Sequence, residues 1–356
     1  MEFGVQFFPD IKPEEKSPAD YYRDCLDLAE AAETLGYTHI RTVEHHFHYY
    51  GGYSPSPIVF LAAAAQRTKT ARLITGAVIP AFNHPLKVAG ELAMLDGLSG
   101  GRLEVGFARA FLPREFRAFG ISPDESIARF KEGLEQIDLL LRGENVTHHG
   151  AFHSYDNVTT YPRPTQKPRP KFYVAATMTK ETFEYAGQQG HSIMAIPMAA
   201  DKLRESLDTY RAAYRAAGHP GRGEVMLAFH MFVDADGDRA RRIAGPQIEA
   251  YFRSIKAASS EWTEGVTSTD YKGYDKMMTH LSEITVDGLI ASGSAWVGTP
   301  AEVCATIERL QRETGGFEHA SIQVSFHLLP TEEARRSMDL FAREVLPKFS
   351  AVPLPA

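Results

Sequence analysis

Apolar and polar positions along this chain switch repeatedly between two periods. Short runs rich in β-branched and aromatic residues are followed by longer stretches of helical period. The runs at 4–8, 38–43, 73–78, 103–107, 172–176, 192–196, 225–233 and 320–324 read as strands. The first helix opens at Ser17-Pro18, with Ser as N-cap and Pro at the first helical position. Its apolar stripe is Tyr22, Cys25, Leu26, Ala29, Ala32 and Leu35, and Gly36 stands where a left-handed cap belongs. Further helices are predicted over 56–68, 86–98, 123–142, 180–189, 201–217 and 236–256. Another is opened by Thr299-Pro300, and a last one covers 331–345.

Strands separated by helices must pair in parallel, because a crossover of that length makes no hairpin. Eight such units without a composition break predict one domain over 1–356, an α/β (β/α)8 TIM barrel. Two irregular excursions interrupt it, at about 148–170 after the fourth unit and 257–298 after the seventh. The first reads as a small β excursion with a proline-stiffened return, and both are long enough to serve as lids or dimer contacts. In such a barrel the chemistry sits at the C-terminal ends of the strands, so the residues just after each strand are the candidates.

Composition narrows the classes. With 44% apolar residues the chain is an ordinary globular protein, and a net charge of −7 disfavours a nucleic-acid partner. No apolar run is long enough to span a membrane, and the N-terminus has no secretory pattern. Cys25 and Cys304 fall beside apolar neighbours and read as buried reduced thiols, so the expected location is cytoplasmic.

After the second strand comes Glu44-His45-His46-Phe47-His48. Imidazole suits proton transfer near neutral pH. A metal site built on His46 and His48 is the competing reading, but no later strand end offers an Asp or Glu ligand, and no metal is predicted. The fourth strand runs into Ala108, Arg109 and Phe111, where a guanidinium can fork onto a phosphate or carboxylate. The fifth ends in Ala176-Thr177-Met178 and opens a helix through Thr182, whose free amides suit an anion. Phe7, Phe8, Phe47, Phe107 and Phe111 are candidates for an apolar wall or for plain core. No G-x-G-x-x-G follows the first strand, which disfavours a dinucleotide fold.

Seven segments in register resemble the bacterial luciferase-like flavin monooxygenases, and the luciferase subunits most of all. They are Val43-Glu44-His45-His46-Phe47, His84-Pro85, Leu95-Asp96-Gly97-Leu98-Ser99-Gly100-Gly101-Arg102 and Phe116-Arg117-Ala118-Phe119-Gly120. The others are Lys272-Gly273-Tyr274-Asp275, Val297-Gly298-Thr299-Pro300-Ala301-Glu302 and Met338-Asp339-Leu340-Phe341. The resemblance implies a dimeric barrel holding reduced FMN (FMNH2) at its C-terminal face, with O2 as co-substrate. It implies a monooxygenase acting through a flavin C4a-hydroperoxide on a small-molecule aldehyde, ketone or natural product. A separate NAD(P)H:flavin reductase would supply the reduced flavin.

Residue by residue, the resemblance places His45 next to the flavin, with Glu44 or His46 tuning it. Arg109, Thr177, Met178 and Thr182 match the phosphate-binding positions, and Gly76-Ala77 matches the strand end behind the ring, often a cis peptide. Ala108 stands where the light-emitting subunit has a cysteine, Ile127 where luciferase has a phosphate-facing Arg, and Glu115 where it has an aspartate. Arg129 is a candidate substitute for that missing Arg, and Lys272–Asp275 matches luciferase's mobile loop. The alternatives are a deazaflavin-dependent dehydrogenase on the same barrel and a non-catalytic flavin-binding subunit.

Overall fold

The computed structural model describes residues 1–350 apart from 178, 198, 282 and 283. Its strands are β1 (Glu2–Phe7), β2 (His39–Thr42), β3 (Arg72–Val78), β4 (Leu103–Phe107), β5 (Val146–His149) and β6 (Ser154–Val158). They continue with β7 (Lys171–Ala176), β8 (Ser192–Ala195), β9 (Val225–Val233), β10 (Ala295–Gly298) and β11 (His319–Ser325). Eight of them, β1-β2-β3-β4-β7-β8-β9-β11, pair in parallel and close where β11 meets β1. The predicted (β/α)8 barrel is therefore what the chain forms.

Helix punctuation follows the local chemistry. Ser17 accepts a hydrogen bond from Asp20 N at the start of Pro18–Thr34. Thr299 and Glu302 form a reciprocal capping box at the start of Pro300–Thr314. Each satisfies amides that the first helical turn leaves open.

The excursions differ from their sequence reading in detail. The first is an antiparallel hairpin, β5 with β6, and it starts at Val146 rather than His148. The second contains helices Tyr274–Leu281 and Val286–Ser292, then β10, which extends the sheet by pairing with the far end of β9. β10 has only four residues, too few for an alternation to register. The segment between β4 and the predicted helix at 123–142 holds a short helix, Pro113–Phe119, ended by Gly120 at φ 67°. The long helix itself is Ser126–Arg142, preceded by a turn of 3-10 helix.

The barrel is solid at its N-terminal end. Glu2, Arg72, Glu104, Lys171, Glu224 and His319 interlock there as ion pairs, with His319 Nε2 2.8 Å from Glu224 Oε2 and Nδ1 3.2 Å from Glu2 Oε2. Above them Ile74, Tyr173, Met194 and Met226 fill the lumen, none more than 2% exposed. Cys25 and Cys304 are buried and unpaired. No helix among the described residues is long and apolar enough to cross a membrane.

Candidate active site

The mouth is built where β2, β3, β4 and β7 end. Beyond β2 the backbone turns through His45, whose N donates to Ser54 O at 3.1 Å, and its ring packs against Phe8, Tyr50 and Phe111 at 5.1–5.7 Å. Gly51, at φ 76°, lies against that ring, and a Cβ there would overlap His45 Cβ. The imidazole is buried in a largely aromatic pocket.

The side chain bonded to His45 is Glu115, from the short helix Pro113–Phe119. Its Oε1 lies 3.1 Å from His45 Nδ1 and accepts from His46 N at 2.7 Å, and the carboxylate is fully buried. An ionised carboxylate only accepts, so Nδ1 is the donor in this pair and Nε2 is the nitrogen left for proton exchange. Glu44 and His46, the residues named from sequence as tuning His45, pair with each other instead: His46 Nε2 lies 3.2 Å from Glu44 Oε1. Glu44 also accepts from Ile79 N at 3.1 Å and Asn83 Nδ2 at 2.8 Å, tying the end of β2 to the chain after β3. Burial pushes His48 down to about 4, and its Nδ1 accepts from Tyr50 N.

Arg109 follows β4, and the β4–β7 register, Phe107 opposite Val174, brings it level with Ala176. Its guanidinium donates only to Asp270 O at 3.3 Å, stacks 5.0 Å from the Tyr271 ring, and has no ion-pair partner among the described residues. Beside it begins the helix Lys180–Gln188, whose Thr179 cap makes no side-chain hydrogen bond. A cation without a counter-charge next to uncapped amides fits an anionic group such as a phosphate. Thr177 and Thr182 are half-buried at this rim, and Met178 lies outside the described residues. The Gly76–Ala77 peptide is cis. Ala108 is half-buried at the lumen, packed against the cluster of Ile74, Ala77 and Tyr173.

Of the five phenylalanines, Phe8 and Phe111 flank His45, Phe7 and Phe107 are buried core, and Phe47 is 57% exposed beside His46 and Phe119. Arg129 turns to Glu125 and the Phe152 ring. Ile127 supplies its backbone N to Asp270 Oδ2 at 2.9 Å.

Residues 261–271 strap over this rim. Trp262 Nε1 donates to Phe111 O at 2.7 Å, Tyr271 Oη donates to Ala110 O, and Arg117 pairs with Glu261. Asp124 accepts from Ser268 and Thr269. The segment that forms the strap carries on itself a half-open cavity of about 470 Å³, lined by Trp262, Val266, Tyr271 and Lys272 and by no residue of the mouth. Among the described residues, no group of three or more His, Cys, Asp or Glu is placed to hold a metal ion.

The sequence pattern assigns no catalytic role to two residues of this region. Glu115 was singled out only as a departure from luciferase, because nothing in a sequence places a helix residue 70 positions away beside His45. Arg41 escaped notice, although a charge in the run His39-Ile40-Arg41-Thr42 alternates toward the lumen.

Residues 1–318 match the family described as luciferase-like monooxygenase. Monooxygenase RslO1 from Streptomyces bottropensis is 42% identical, with a TM-score of 0.88 over 98% of this chain and 100% of its own. The oxygenase component of the flavin-dependent trigonelline monooxygenase of Acinetobacter baylyi is 28% identical over 261 residues, 72% of this chain and 71% of its own. The oxygenating constituent of 3,6-diketocamphane monooxygenase from Pseudomonas putida, solved with FMN, shares the fold at 20% identity, with a TM-score of 0.82 over 100% of this chain and 99% of its own. The barrel, its mouth and these matches agree: the chain belongs to the luciferase-like monooxygenase family.

Proposed function

We propose that this protein is the oxygenase of a two-component system. It takes reduced FMN from a separate NAD(P)H:flavin reductase and uses O2 to oxygenate a small organic substrate. The observation that carries the reading is the His45–Glu115 pair, set at the mouth with an Arg109 that has no counter-ion among the described residues. Family membership supports it, as does a relative named as an oxygenase component. The absence of a G-x-G-x-x-G turn after the first strand agrees with reduction occurring elsewhere.

When bound, reduced FMN supplies the electrons that activate O2. Arg109 and the amides at the start of Lys180–Gln188 would hold its phosphate, and Gly76 and Ala77 would bind its ring. His45 takes or returns a proton at Nε2 while Glu115 stabilises the imidazolium, a role typically worth about 10²–10⁴ in rate. Phe8, Tyr50 and Phe111 keep water from the imidazole, and the strap covers the rim.

The test is an anaerobic titration with chemically reduced FMN, then addition of 18O2 with a panel of aldehydes, ketones and aromatic polyketides. Peroxide release and product mass are followed together. Product carrying one 18O atom supports the reading. Binding of a deazaflavin with no O2 consumption overturns it in favour of a dehydrogenase. Rapid reduction of bound FMN by NAD(P)H alone removes the separate reductase.

A further inference from the structure

Four side chains on four adjacent strands stand at one level of the lumen, just below the mouth. The register pairs Gln6 with Arg41, Gln6 with Gln323, and Gln323 with His230. All lie on inward-facing positions, alternating with residues that face the helices. Arg41 and His230 keep accessible surface although each sits within a strand paired on both sides, and so do Ala175 on β7 and Ala228 on β9. Surface retained at mid-strand by these four residues shows that packing does not fill the lumen at this level. Below it the lumen is filled.

The polar balance of this level is lopsided. Arg41 Nη1 donates to Gln6 Oε1, Nη2 donates to Gly76 O at 3.0 Å, and Gln6 Nε2 donates to Gln323 Oε1 at 3.4 Å. Arg41 Nε, Gln323 Nε2 and His230 Nε2 have no hydrogen-bond partner among the described residues. No carboxylate pairs with Arg41 among the described residues, whose interactions with it are to neutral oxygens. An unpaired interior guanidinium is costly, and replacing such a group by an apolar one of equal volume is often neutral or stabilising. Burial draws Arg41 down to about 10, so it stays charged at neutral pH, and burial holds His230 at about 4, so it stays neutral. The level therefore offers one positive charge and a surplus of donors.

We infer that Arg41, with Gln6, Gln323 and His230, is a receptor for an anionic oxygen of the bound molecule, set in the lumen just below the mouth. Two sources share that chemistry: a carboxylate, enolate or phenolate of the substrate, and the ionised pyrimidine edge of reduced flavin. The second source rests on the proposed flavin function, and the first does not. Arg41 acts by binding and orientation, since it lies a layer beneath His45.

The test compares wild type with Arg41→Met and Arg41→Lys. The probes are 2-naphthoate and its neutral isostere 2-naphthamide, titrated into the protein with and without FMN. The midpoint potential of bound FMN is measured alongside. Wild type is expected to prefer the carboxylate by about tenfold or more, as charge-assisted bonds predict. Arg41→Met should erase that preference and Arg41→Lys should keep part of it, with thermal unfolding of Arg41→Met at or above wild type. Loss of the preference at constant potential assigns the anion to the substrate. A lowered potential with the preference intact assigns it to the flavin. If folded Arg41→Met changes neither, the receptor is overturned. If wild type binds no flavin, the proposed function falls, and the naphthoate titration without FMN still decides the receptor.

Discussion

Replacing Glu115 by glutamine exchanges one oxygen of a fully buried side chain for NH2 and tests how His45 works. Oε1 takes two hydrogen bonds, from His46 N at 2.7 Å and from His45 Nδ1 at 3.1 Å, whereas Oε2 has no partner. The amide oxygen of glutamine must therefore occupy the Oε1 position, because the His46 amide can only donate. Both bonds survive, the ring keeps its orientation, and only the negative charge is lost. A charged hydrogen bond exceeds a neutral one by about 1–2 kcal/mol, and the whole difference falls on the imidazolium formed when Nε2 takes a proton. That is about 5- to 30-fold in the step that uses it. The assay is stopped-flow mixing of O2 with Glu115→Gln carrying reduced FMN, with product yield measured in parallel. Flavin affinity should match wild type. A wild-type rate and yield would refute the link between Glu115 and His45. Lost flavin binding or unfolding would make Glu115 a purely structural residue.

Arg109→Ala should weaken FMN about 10- to 150-fold, the worth of a charged hydrogen bond, while riboflavin affinity, read by fluorescence quenching, stays unchanged. Gly51→Ala forces a Cβ onto His45 at a positive φ. It should cost about 1–3 kcal/mol in denaturant unfolding and uncouple O2 consumption from product. At the barrel base, burial opposes charge on His319, but bonds to Glu2 and Glu224 raise it above 6.5. Its stabilisation is then complete below about pH 6.5 and fades as pH rises through the folded value. Glu2 and Glu224, held at about 2 chiefly by the bond to His319, contribute above 4.5 and lose that contribution as pH falls toward 2. Because both carboxylates are nearly half exposed, the net effect is discounted to about 1 kcal/mol, a loss on raising the pH above 6.5 that His319→Gln should lack in urea titrations.

The barrel was legible because its strands carry strong periodicity and its helices carry explicit caps, such as Ser17-Pro18 and Thr299-Pro300. The rim residues His45 and Arg109 were legible because strand ends in a barrel point at one place. Strand β10 was not, since four residues between polar stretches give no alternation to read. The partner of His45 was not, because a strand-end loop and a later helix meet only through the pairing of β2, β3 and β4. The strap was legible only as an excursion long enough for a lid, because its bonds to Ala110 O and Phe111 O are to backbone atoms and leave no side-chain signature.

The ion-paired, fully packed base has a consequence for traffic through the protein. With one end sealed, the lumen is a blind well, and every molecule must use the same doorway in both directions. A molecule lodged at the depth of Arg41 beneath a second ligand would have to enter before it and leave after it.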